Sequence, residues 1–465
     1  MKLKFLPVLA NLFMVIIMLP SCMGSKENNI EYPSNASIIA FSIGDIKTEY
    51  PKVINGVDST VTVTLKGKDY PFAIDQVNHL IYNVDSLPYG TNVSAVTTSI
   101  TADTNYIIYT KNTSGRDTLW TATDSINFES PVNFKVSSQS GTYGATYKIS
   151  LNVHRIDPEV MVWSQLASDF PGSEIEKQKA VYFNGKIYVF ADATDQVKVT
   201  STDYTSGTQW SELKTLNISG KADYSSVMAW ADKLYILVGD KLYSSADGSS
   251  WEEVNGVPSL SLIVSNYYKS DTNKLMIAIN KAGTKFVESS DGLSWNETTN
   301  VPAGFPKENI SYVSYDLPSN KNIQKMLIMG KNDSDDYAIT WSRLSTESTW
   351  GDHTPSQDKY ALPKLENIAM IQCNDSIYAF GGDGAVNNTT YTAFSTFFIS
   401  KDHGINWQSL TEKILFPDVF NTYYNNAHGN FSYTISPNQY LWIMWSGRQY
   451  IWKGRMNKQG FVIKN

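Results

Sequence analysis

Two hydrophobic patterns divide the chain. In the first third, apolar and polar residues alternate over short stretches such as residues 60–65 and 147–153. Alternation with a period of two predicts β-strands that bury one face and expose the other. Turn residues such as Asn55-Gly56 separate these stretches. The pattern therefore predicts an all-β domain over residues 35–155, followed by a charged, proline-containing linker.

A different pattern covers residues 160–465. Six near-continuous apolar runs follow one another along this part of the chain, separated by polar segments. The runs are residues 187–190, 234–237, 275–278, 326–329, 377–380 and 441–444. An apolar run without alternation predicts a strand that is covered on both faces. We expect these runs to be the inner strands of six sheets that pack against one another.

Tryptophans recur in step with the apolar runs. They stand at positions roughly 40 to 60 residues apart, and such a spacing is typical of the blades of a β-propeller. The six are Trp163, Trp210, Trp251, Trp295, Trp350 and Trp407. Trp163 has no apolar run before it, and the run at residues 441–444 has no such tryptophan after it. We therefore expect residues 163–166 to complete the last sheet and close a six-bladed ring.

A polar turn precedes most of these tryptophans. Four of the turns contain an aspartate followed by a glycine three residues before the indole, whereas the repeat of Trp350 lacks the glycine. The aspartates are Asp203, Asp247, Asp291 and Asp402. An aspartate can accept hydrogen bonds from turn amides, and glycine adopts backbone angles that other residues resist. We expect these four aspartates to be structural turn residues.

Two segments resemble known propeller repeats. Residues 400–407 resemble the Asp-box of sialidases and related propellers, and residues 377–382 resemble a kelch strand. The resemblance implies a six-bladed, kelch- or Asp-box-like β-propeller over residues 160–465. The N-terminal β domain looks like the immunoglobulin-like sandwich spacers of Bacteroidetes surface lipoproteins. Over most of its length the chain resembles a lipoprotein family of that phylum, with an Ig-like domain followed by a propeller.

The first residues indicate export. Lys2 and Lys4 precede an apolar run over residues 5–19, which is shorter than a membrane-spanning helix requires. Residues 19–22 resemble the lipobox of bacterial lipoproteins, which implies lipid modification of Cys22. Residues 1–21 are then a signal peptide and residues 22–34 a flexible tether. We expect an outer-membrane lipoprotein that is periplasmic or exposed on the cell surface.

Composition excludes several functions. The net charge of −7 and the sequence pI of about 5.4 argue against binding nucleic acid. The sequence has no phosphate-binding glycine loop, so no nucleotide or other cofactor is expected. The histidines His353, His403 and His428 have no metal-ligand spacing, and no metal site is expected. Cys373 is the one cysteine besides Cys22, and its apolar setting indicates a buried side chain.

Catalysis has little support in the sequence. A sialidase needs three arginines that converge on the substrate carboxylate, whereas residues 160–465 contain three arginines in all: Arg343, Arg448 and Arg455. We therefore expect no catalytic residues and a noncatalytic envelope protein that binds glycans or another extracellular ligand. A sialidase-like glycoside hydrolase and a protein-interaction scaffold remain as alternatives. We expect a monomer or a member of an envelope complex.

Three tryptophans depart from the repeat. Aligning the apolar runs places Trp445 where the other repeats have smaller residues, and Trp341 and Trp452 replace mainly smaller residues ahead of the turn. Flat aromatic faces are suited to stacking on sugars, and an indole can equally fill space beside small neighbours. Trp341, Trp445 and Trp452 are therefore the candidate ligand-binding residues.

Overall fold

The computed structural model describes residues 32–54, 57–104, 106–141, 143–193, 196–331 and 336–461. The expected signal peptide, Cys22 and the turn at Asn55-Gly56 lie outside these residues. The chain divides into two compact units, Met1–Asp157 and Pro158–Asn465. In the described residues, no helix has both the length and the apolar character needed to cross a membrane.

The N-terminal unit consists of ten strands around one apolar core. The strands are β1 (Ile38–Ile43), β2 (Ile46–Ile54), β3 (Val57–Leu65), β4 (Phe72–Asp75), β5 (Leu80–Asn83), β6 (Thr98–Ala102), β7 (Ile107–Thr110), β8 (Asp117–Leu119), β9 (Val132–Ser137) and β10 (Gly144–Ser150). They form a six-stranded sheet in the order β4-β5-β10-β9-β7-β8, together with the pairs β1-β6 and β2-β3. The core joins residues of β1 to residues of β9 and β10. β5 and β10 run parallel, and the remaining strand pairs are antiparallel.

The alternation predicted over residues 147–153 is confirmed by burial, whereas residues 60–65 lie in β3 without a buried face, and Val63 is exposed. In β10, Tyr147 and Ile149 are buried while Lys148 between them is exposed. In β9, Val132, Phe134 and Val136 are buried and the residues between them face outward or lie at the margin. β9 and β10 therefore each contribute one apolar face to the core and one polar face to water.

The second unit is built from six four-stranded sheets in the described residues. β11 (Met161–Leu166) is an edge strand of sheet 6. Sheet 1 contains β12 (Gln178–Phe183), β13 (Lys186–Ala193), β14 (Gln196–Asp203) and β15 (Lys214–Thr215). Sheet 2 contains β16 (Ala222–Trp230), β17 (Lys233–Val238), β18 (Lys241–Ser245) and β19 (Glu252–Glu253). Sheet 3 contains β20 (Leu260–Ser270), β21 (Asn273–Asn280), β22 (Lys285–Ser289) and β23 (Asn296–Asn300).

The remaining elements complete the series. Sheet 4 contains β24 (Glu308–Leu317), β25 (Asn320–Lys331), β26 (Thr340–Leu344) and β27 (Gly351–His353). Sheet 5 contains β28 (Ala369–Cys373), β29 (Ser376–Phe380), β32 (Phe398–Ser400) and β33 (Gln408–Ser409), and a hairpin of β30 (Gly384–Val386) and β31 (Thr389–Tyr391) is inserted in it. After the helix α1 (Val419–Asn426), β34 (Phe431–Ile435), β35 (Leu441–Trp445) and β36 (Ile451–Met456) form the rest of sheet 6.

The six apolar runs lie in the second strand of each sheet. They fall in β13, β17, β21, β25, β29 and β35, and Leu234 and Ile236 of β17 have no exposed surface. The runs are therefore inner strands, as expected, with a paired strand on each edge. Beside them lie β12, β16, β20, β24, β28 and β34, which we call the first strands of the six sheets and which border a common cavity. A second strand has neighbours on both edges and packed sheets on both faces, so it can be apolar throughout. A first strand faces the cavity and retains polar residues.

The helix α1 was not anticipated by the strand pattern. Phe420 and Tyr424, four residues apart, are its buried positions, and this spacing places them on one helical face. Phe420 packs against Trp445 and Trp452, with ring centroids 5.4 and 5.2 Å apart. The helix therefore fills space beside sheet 6 with aromatic side chains. Cys373 is buried, as its apolar setting predicted.

The first and last strands of the unit pair with each other. β11 runs antiparallel to β36 in continuous register, from Met161 opposite Met456 to Leu166 opposite Ile451. The pairing predicted for residues 163–166 is therefore present. Trp163 lies opposite Gly454, and its Nε1 donates a hydrogen bond to the carbonyl oxygen of Leu415 at 2.8 Å.

Substituting Gly454 tests this closure. A Cβ atom at Gly454 would lie 2.6 Å from the Trp163 ring, which is held by its hydrogen bond and by the ring of Phe420 at 5.0 Å. We expect Gly454→Ala to lower the free energy of unfolding by about 1–3 kcal/mol. Gly351→Ala is the control, because a Cβ there meets nothing within 4 Å. Equal unfolding midpoints in urea for the two variants would contradict the packing.

Candidate functional site

One cavity of about 510 Å³ is bordered by the first strands of all six sheets. We call it the central cavity. Its wall follows these strands, with further residues just before β28 and β34. The lining is formed by residues 178–182, 224–229, 262–263, 309–313, 367–368, 370–372 and 429–435. The shared cavity gives residues from distant parts of the chain access to one ligand.

The chemistry of the central cavity is set by one lysine and several tyrosines. Its charged and titratable lining residues are Lys179, Tyr182, Tyr224, Tyr312 and Tyr433. The described lining contains no carboxylate and no histidine. It therefore presents hydrogen-bond donors and one basic group.

The ammonium group of Lys179 has no ionic partner at contact distance. Within the described residues, no hydrogen bond or salt bridge reaches its Nζ. Burial lowers the pKa of Lys179, and the negative charge of Asp223 partly opposes that effect. The Asp223 carboxylate instead accepts hydrogen bonds from the Ser225 amide at 2.9 Å and the Ser225 hydroxyl at 2.6 Å. Lys179 thus borders the cavity as an uncompensated donor.

Two tyrosine hydroxyls add donors to this wall. Tyr312 Oη accepts a hydrogen bond from Asn266 Nδ2 at 3.0 Å, which leaves its own hydrogen available. Burial raises the pKa of Tyr312 to about 12. Burial, together with the charges of Asp192 and Asp223, raises the pKa of Tyr224 to about 12. Both phenols are therefore protonated at neutral pH and can donate.

Tyr433 has a structural position in the same cavity. Its hydroxyl lies 2.8 Å from the Ser311 hydroxyl and donates to the carbonyl oxygen of Met370 at 3.4 Å. The Met370 amide in turn donates to Ser311 Oγ at 2.7 Å. These bonds join β34 to β24 and β28, so Tyr433 connects sheets 4, 5 and 6 at the cavity wall.

The four turn aspartates lie outside the lining of the central cavity. Asp247 Oδ1 accepts from the amides of Ser249 and Ser250, each at 2.8 Å. Asp291 Oδ1 accepts hydrogen bonds from the amides of Leu293 and Ser294, at 2.8 and 2.7 Å. Asp402 accepts from the Asn406 amide at 2.9 Å and Asp203 from the Thr205 amide at 2.8 Å.

The tryptophans of these four turns each form the same type of hydrogen bond. In each turn the indole Nε1 donates to the carbonyl oxygen of the glycine three residues earlier, at 3.1 to 3.3 Å. The pairs are Trp210 with Gly207, Trp251 with Gly248, Trp295 with Gly292, and Trp407 with Gly404. Trp350, whose repeat lacks the glycine, is buried, and its Nε1 has no hydrogen-bond partner among the described residues.

The turn glycines also touch the neighbouring sheet. A Cβ at Gly248 of the sheet 2 turn would lie 2.5 Å from the ring of Tyr188 in sheet 1. A Cβ at Gly207 of the sheet 1 turn would lie 2.4 Å from the ring of Trp442 in sheet 6. Each turn therefore packs closely on the second strand of the preceding sheet, and the contact between sheets 6 and 1 follows the same rule.

The candidate tryptophans Trp341, Trp445 and Trp452 do not meet at one site. Trp445 has no exposed surface and packs against Phe394, with ring centroids 4.8 Å apart. Trp341 is 7% exposed and belongs to a different core cluster, where it contacts Phe305. Trp452 is half-buried, and none of the three lines the central cavity. Stacking on a sugar requires a free ring face, which Trp445 lacks in this conformation.

The three arginines do not converge either. Arg343 is buried and forms a two-pronged ion pair with Glu288 at 2.6 and 3.1 Å, and its Nε donates to the Glu347 carbonyl. Arg448 lies over the Tyr423 ring at 4.8 Å, and Arg455 lies over the Tyr440 ring at 4.2 Å. Each guanidinium thus has its own local partner.

Lys179 and Tyr312 were not among the residues predicted from the sequence. The repeat was recognised from the apolar second strands, whereas the cavity is bordered by the first strands. Lys179 stands in the segment QKAVYF, whose polar start departs from its apolar end. An alignment of the six segments before the apolar runs would have singled out this lysine.

The six sheets around a common cavity define the class: this is a β-propeller protein. The chain belongs to the DUF6242 family. Residues 157–464 match the DUF6242 beta propeller domain, and residues 41–151 match the DUF6242 N-terminal domain, a domain of unknown function. No curated protein matches the sequence.

Several solved structures are similar to the chain at low identity. Virginiamycin B lyase from Staphylococcus aureus is 9% identical, with 63% of this chain and 99% of that chain covered and a TM-score of 0.37. An alpha-L-arabinofuranosidase from Fusarium graminearum is 11% identical, with 64% and 97% covered and a TM-score of 0.35. A gluconolactonase from Xanthomonas campestris is 8% identical, with 63% and 89% covered and a TM-score of 0.38.

The turn geometry gives a stability prediction for Asp291. Its amide hydrogen bonds lower its pKa to about 2, whereas an unfolded aspartate titrates near pH ~3.9. Because the folded-state pKa is lowered, the charged group stabilises above pH ~4, and the effect is lost as the pH falls toward 2. We expect Asp291→Ala to cost about 1 kcal/mol at pH 7, a modest value because the turn is exposed.

Urea unfolding of Asp291→Ala and Asp291→Asn between pH 7 and pH 3 provides the measurement. The asparagine variant retains an acceptor oxygen without the charge, so we expect most of the stability and a weaker pH dependence. An alanine variant whose deficit stayed constant over this range would show that the carboxylate charge does not contribute.

Proposed function

We propose that this propeller is a noncatalytic binding protein that holds an extracellular ligand, in the first place a glycan, in its central cavity. The observation that carries the proposal is the lining itself. Lys179, Tyr224 and Tyr312 line one cavity, and the described lining has no carboxylate or histidine. Such a wall can orient a polar ligand, and it offers no acid and base pair for hydrolysis.

The size of the cavity suits a small ligand. Small-molecule sites typically enclose roughly 300–1,000 Å³ and combine apolar walls with a few polar groups. The central cavity has about 510 Å³ and combines Val181, Ile310 and Val313 with the lysine and tyrosines. A sugar presents both hydroxyls and apolar ring faces, so such a mixed wall fits it.

The proposal includes the architecture around the site. Each four-stranded sheet is taken as one blade, which makes the propeller six-bladed, and the N-terminal unit as an Ig-like spacer. Cys22 is the proposed lipid anchor in the outer membrane, and residues 22–34 are the proposed flexible tether. The anchor rests on the lipobox resemblance at residues 19–22, which precede the described part of the chain.

Occluding the central cavity tests its role in binding. Ser225 is exposed and lines the cavity, so Ser225→Trp should fill part of it. Ser249→Trp is the matched control, because Ser249 is exposed on a turn outside the lining. We expect the lipid-free mature protein to bind members of a glycan array, and Ser225→Trp to reduce that binding at least tenfold while the control retains it.

Other outcomes favour the alternatives. Turnover of fluorogenic sialosides by the unmodified protein would favour a sialidase-like hydrolase. Absence of binding on the glycan array, together with reproducible capture of one protein partner, would favour a protein-interaction scaffold. Glycan binding that Ser225→Trp leaves intact, with the variant folded by circular dichroism, would place the site outside the central cavity.

The lipid anchor gives a separate prediction. In cells fed an alkyne analogue of palmitate, we expect the full-length protein to be labelled and to fractionate with membranes. Cys22→Ser should remove the label and release the protein from the membrane fraction, whereas Cys373→Ser should retain both properties because Cys373 is buried. Labelling that survives in Cys22→Ser would contradict the anchor.

A further inference from the structure

We propose that the ligand of the central cavity carries an anionic group, a carboxylate or a sulfate, that pairs with Lys179. This inference rests on the proposed function, since it assigns the charge of a ligand bound at that same site. It goes beyond binding as such, because it predicts that acidic ligands are preferred over neutral ones of the same shape.

Lys179 borders the central cavity without a contact that compensates its charge. Several lysines of this unit pair with carboxylates, as Lys281 does with Asp240 at 2.7 Å and Lys458 with Glu159 at 2.9 Å. Burial lowers the pKa of Lys325 as well, but Lys325 does not line the cavity. Lys453 is buried without a carboxylate partner, and its ammonium lies over the Trp442 ring at 4.7 Å. In the described residues, Lys179 has neither kind of contact.

An uncompensated ammonium in a confined space has a cost. Withdrawing a cation from water destabilises its charged form unless an opposite charge or aligned acceptors replace the lost hydration. The pKa of Lys179 is lowered for this reason. A ligand anion would replace the lost hydration and stabilise the charged form of Lys179. The binding of such an anion and the protonation of Lys179 therefore favour each other.

The neighbouring groups are donors that an anion can use. Tyr224 has no hydrogen bond from its hydroxyl to the described residues, and Tyr312 accepts from Asn266 while its hydrogen is available. The carboxylates nearest to this part of the wall are Asp192 and Asp223. Asp223 is engaged by Ser225, and neither carboxylate lines the central cavity. Donors therefore outnumber charged acceptors in the lining.

Matched disaccharides test the charge preference. We would titrate the mature protein calorimetrically with cellobiose, with cellobiouronic acid and with a cellobiose sulfate. We expect at least tenfold tighter binding of one acidic sugar than of cellobiose, and weakening of that binding by added salt. The two acidic sugars distinguish a carboxylate from a sulfate ligand.

Variants of Lys179 connect this preference to the side chain. Lys179→Met should abolish the difference between acidic and neutral sugars, and Lys179→Arg should retain most of it. Lys177→Met is the control, because Lys177 is exposed near the start of the same strand and does not line the cavity. Acidic-sugar binding that is unchanged in Lys179→Met would overturn the inference.

Failure of this inference is distinguishable from failure of the proposed function. If neutral and acidic sugars bind equally and Ser225→Trp blocks both, the cavity binds glycans and the anionic preference is wrong. If all three probes fail to bind while a neutral glycan from the array binds in the cavity, the preference is again wrong. If neither the probes nor the array members bind, both the glycan-binding function and the anionic preference are wrong.

Discussion

The pairing of β11 with β36 is the constraint on which the rest of the second unit depends. It places the first strand of the unit in the same sheet as the last three, through six consecutive residue pairs. Without it, sheet 6 would end in an unpaired strand, and an exposed sheet edge is a template for aggregation. The central cavity depends on the same pairing, because sheet 6 also contains β34, which lies beside β12 of sheet 1 in the cavity wall. There the Tyr182 amide donates a hydrogen bond to Thr434 Oγ1 at 3.1 Å.

Contacts between sheets repeat the same small device. A turn glycine lies against the second strand of the preceding sheet, and the indole after it donates to that glycine's carbonyl oxygen. Gly248 shows both reasons for glycine, since its φ is +78° and a Cβ would overlap Tyr188. The aspartate holds the turn by its amide hydrogen bonds. This device therefore joins neighbouring sheets, and its aspartates, glycines and tryptophans lie outside the lining of the central cavity.

The repeat in the sequence predicted the second unit well because its signal is local. An aspartate, a glycine and a tryptophan within a few residues specify one turn, and the apolar runs specify the strand that is covered on both faces. The candidate site could not be predicted in this way, since Lys179 and Tyr312 are far apart in sequence and meet only through the arrangement of the sheets. Trp445 stood out in the alignment because it fills space beside the helix α1, where Phe420 contacts it. An outlier in a repeat reports a local difference in packing as readily as a ligand.

The arginines and the cavity lead to the same view of the chemistry. A sialidase-like site needs free guanidinium groups, and Arg343 already donates two hydrogen bonds to the partly buried Glu288 and a third to the Glu347 carbonyl. Removing Arg343 from that ion pair would leave the Glu288 carboxylate without its cationic partner, which is destabilising. The cation that does border the central cavity is Lys179, and in the described lining it stands among phenols instead of carboxylates. Under the proposed binding function, such a lining would hold a polar ligand by hydrogen bonds and one charge.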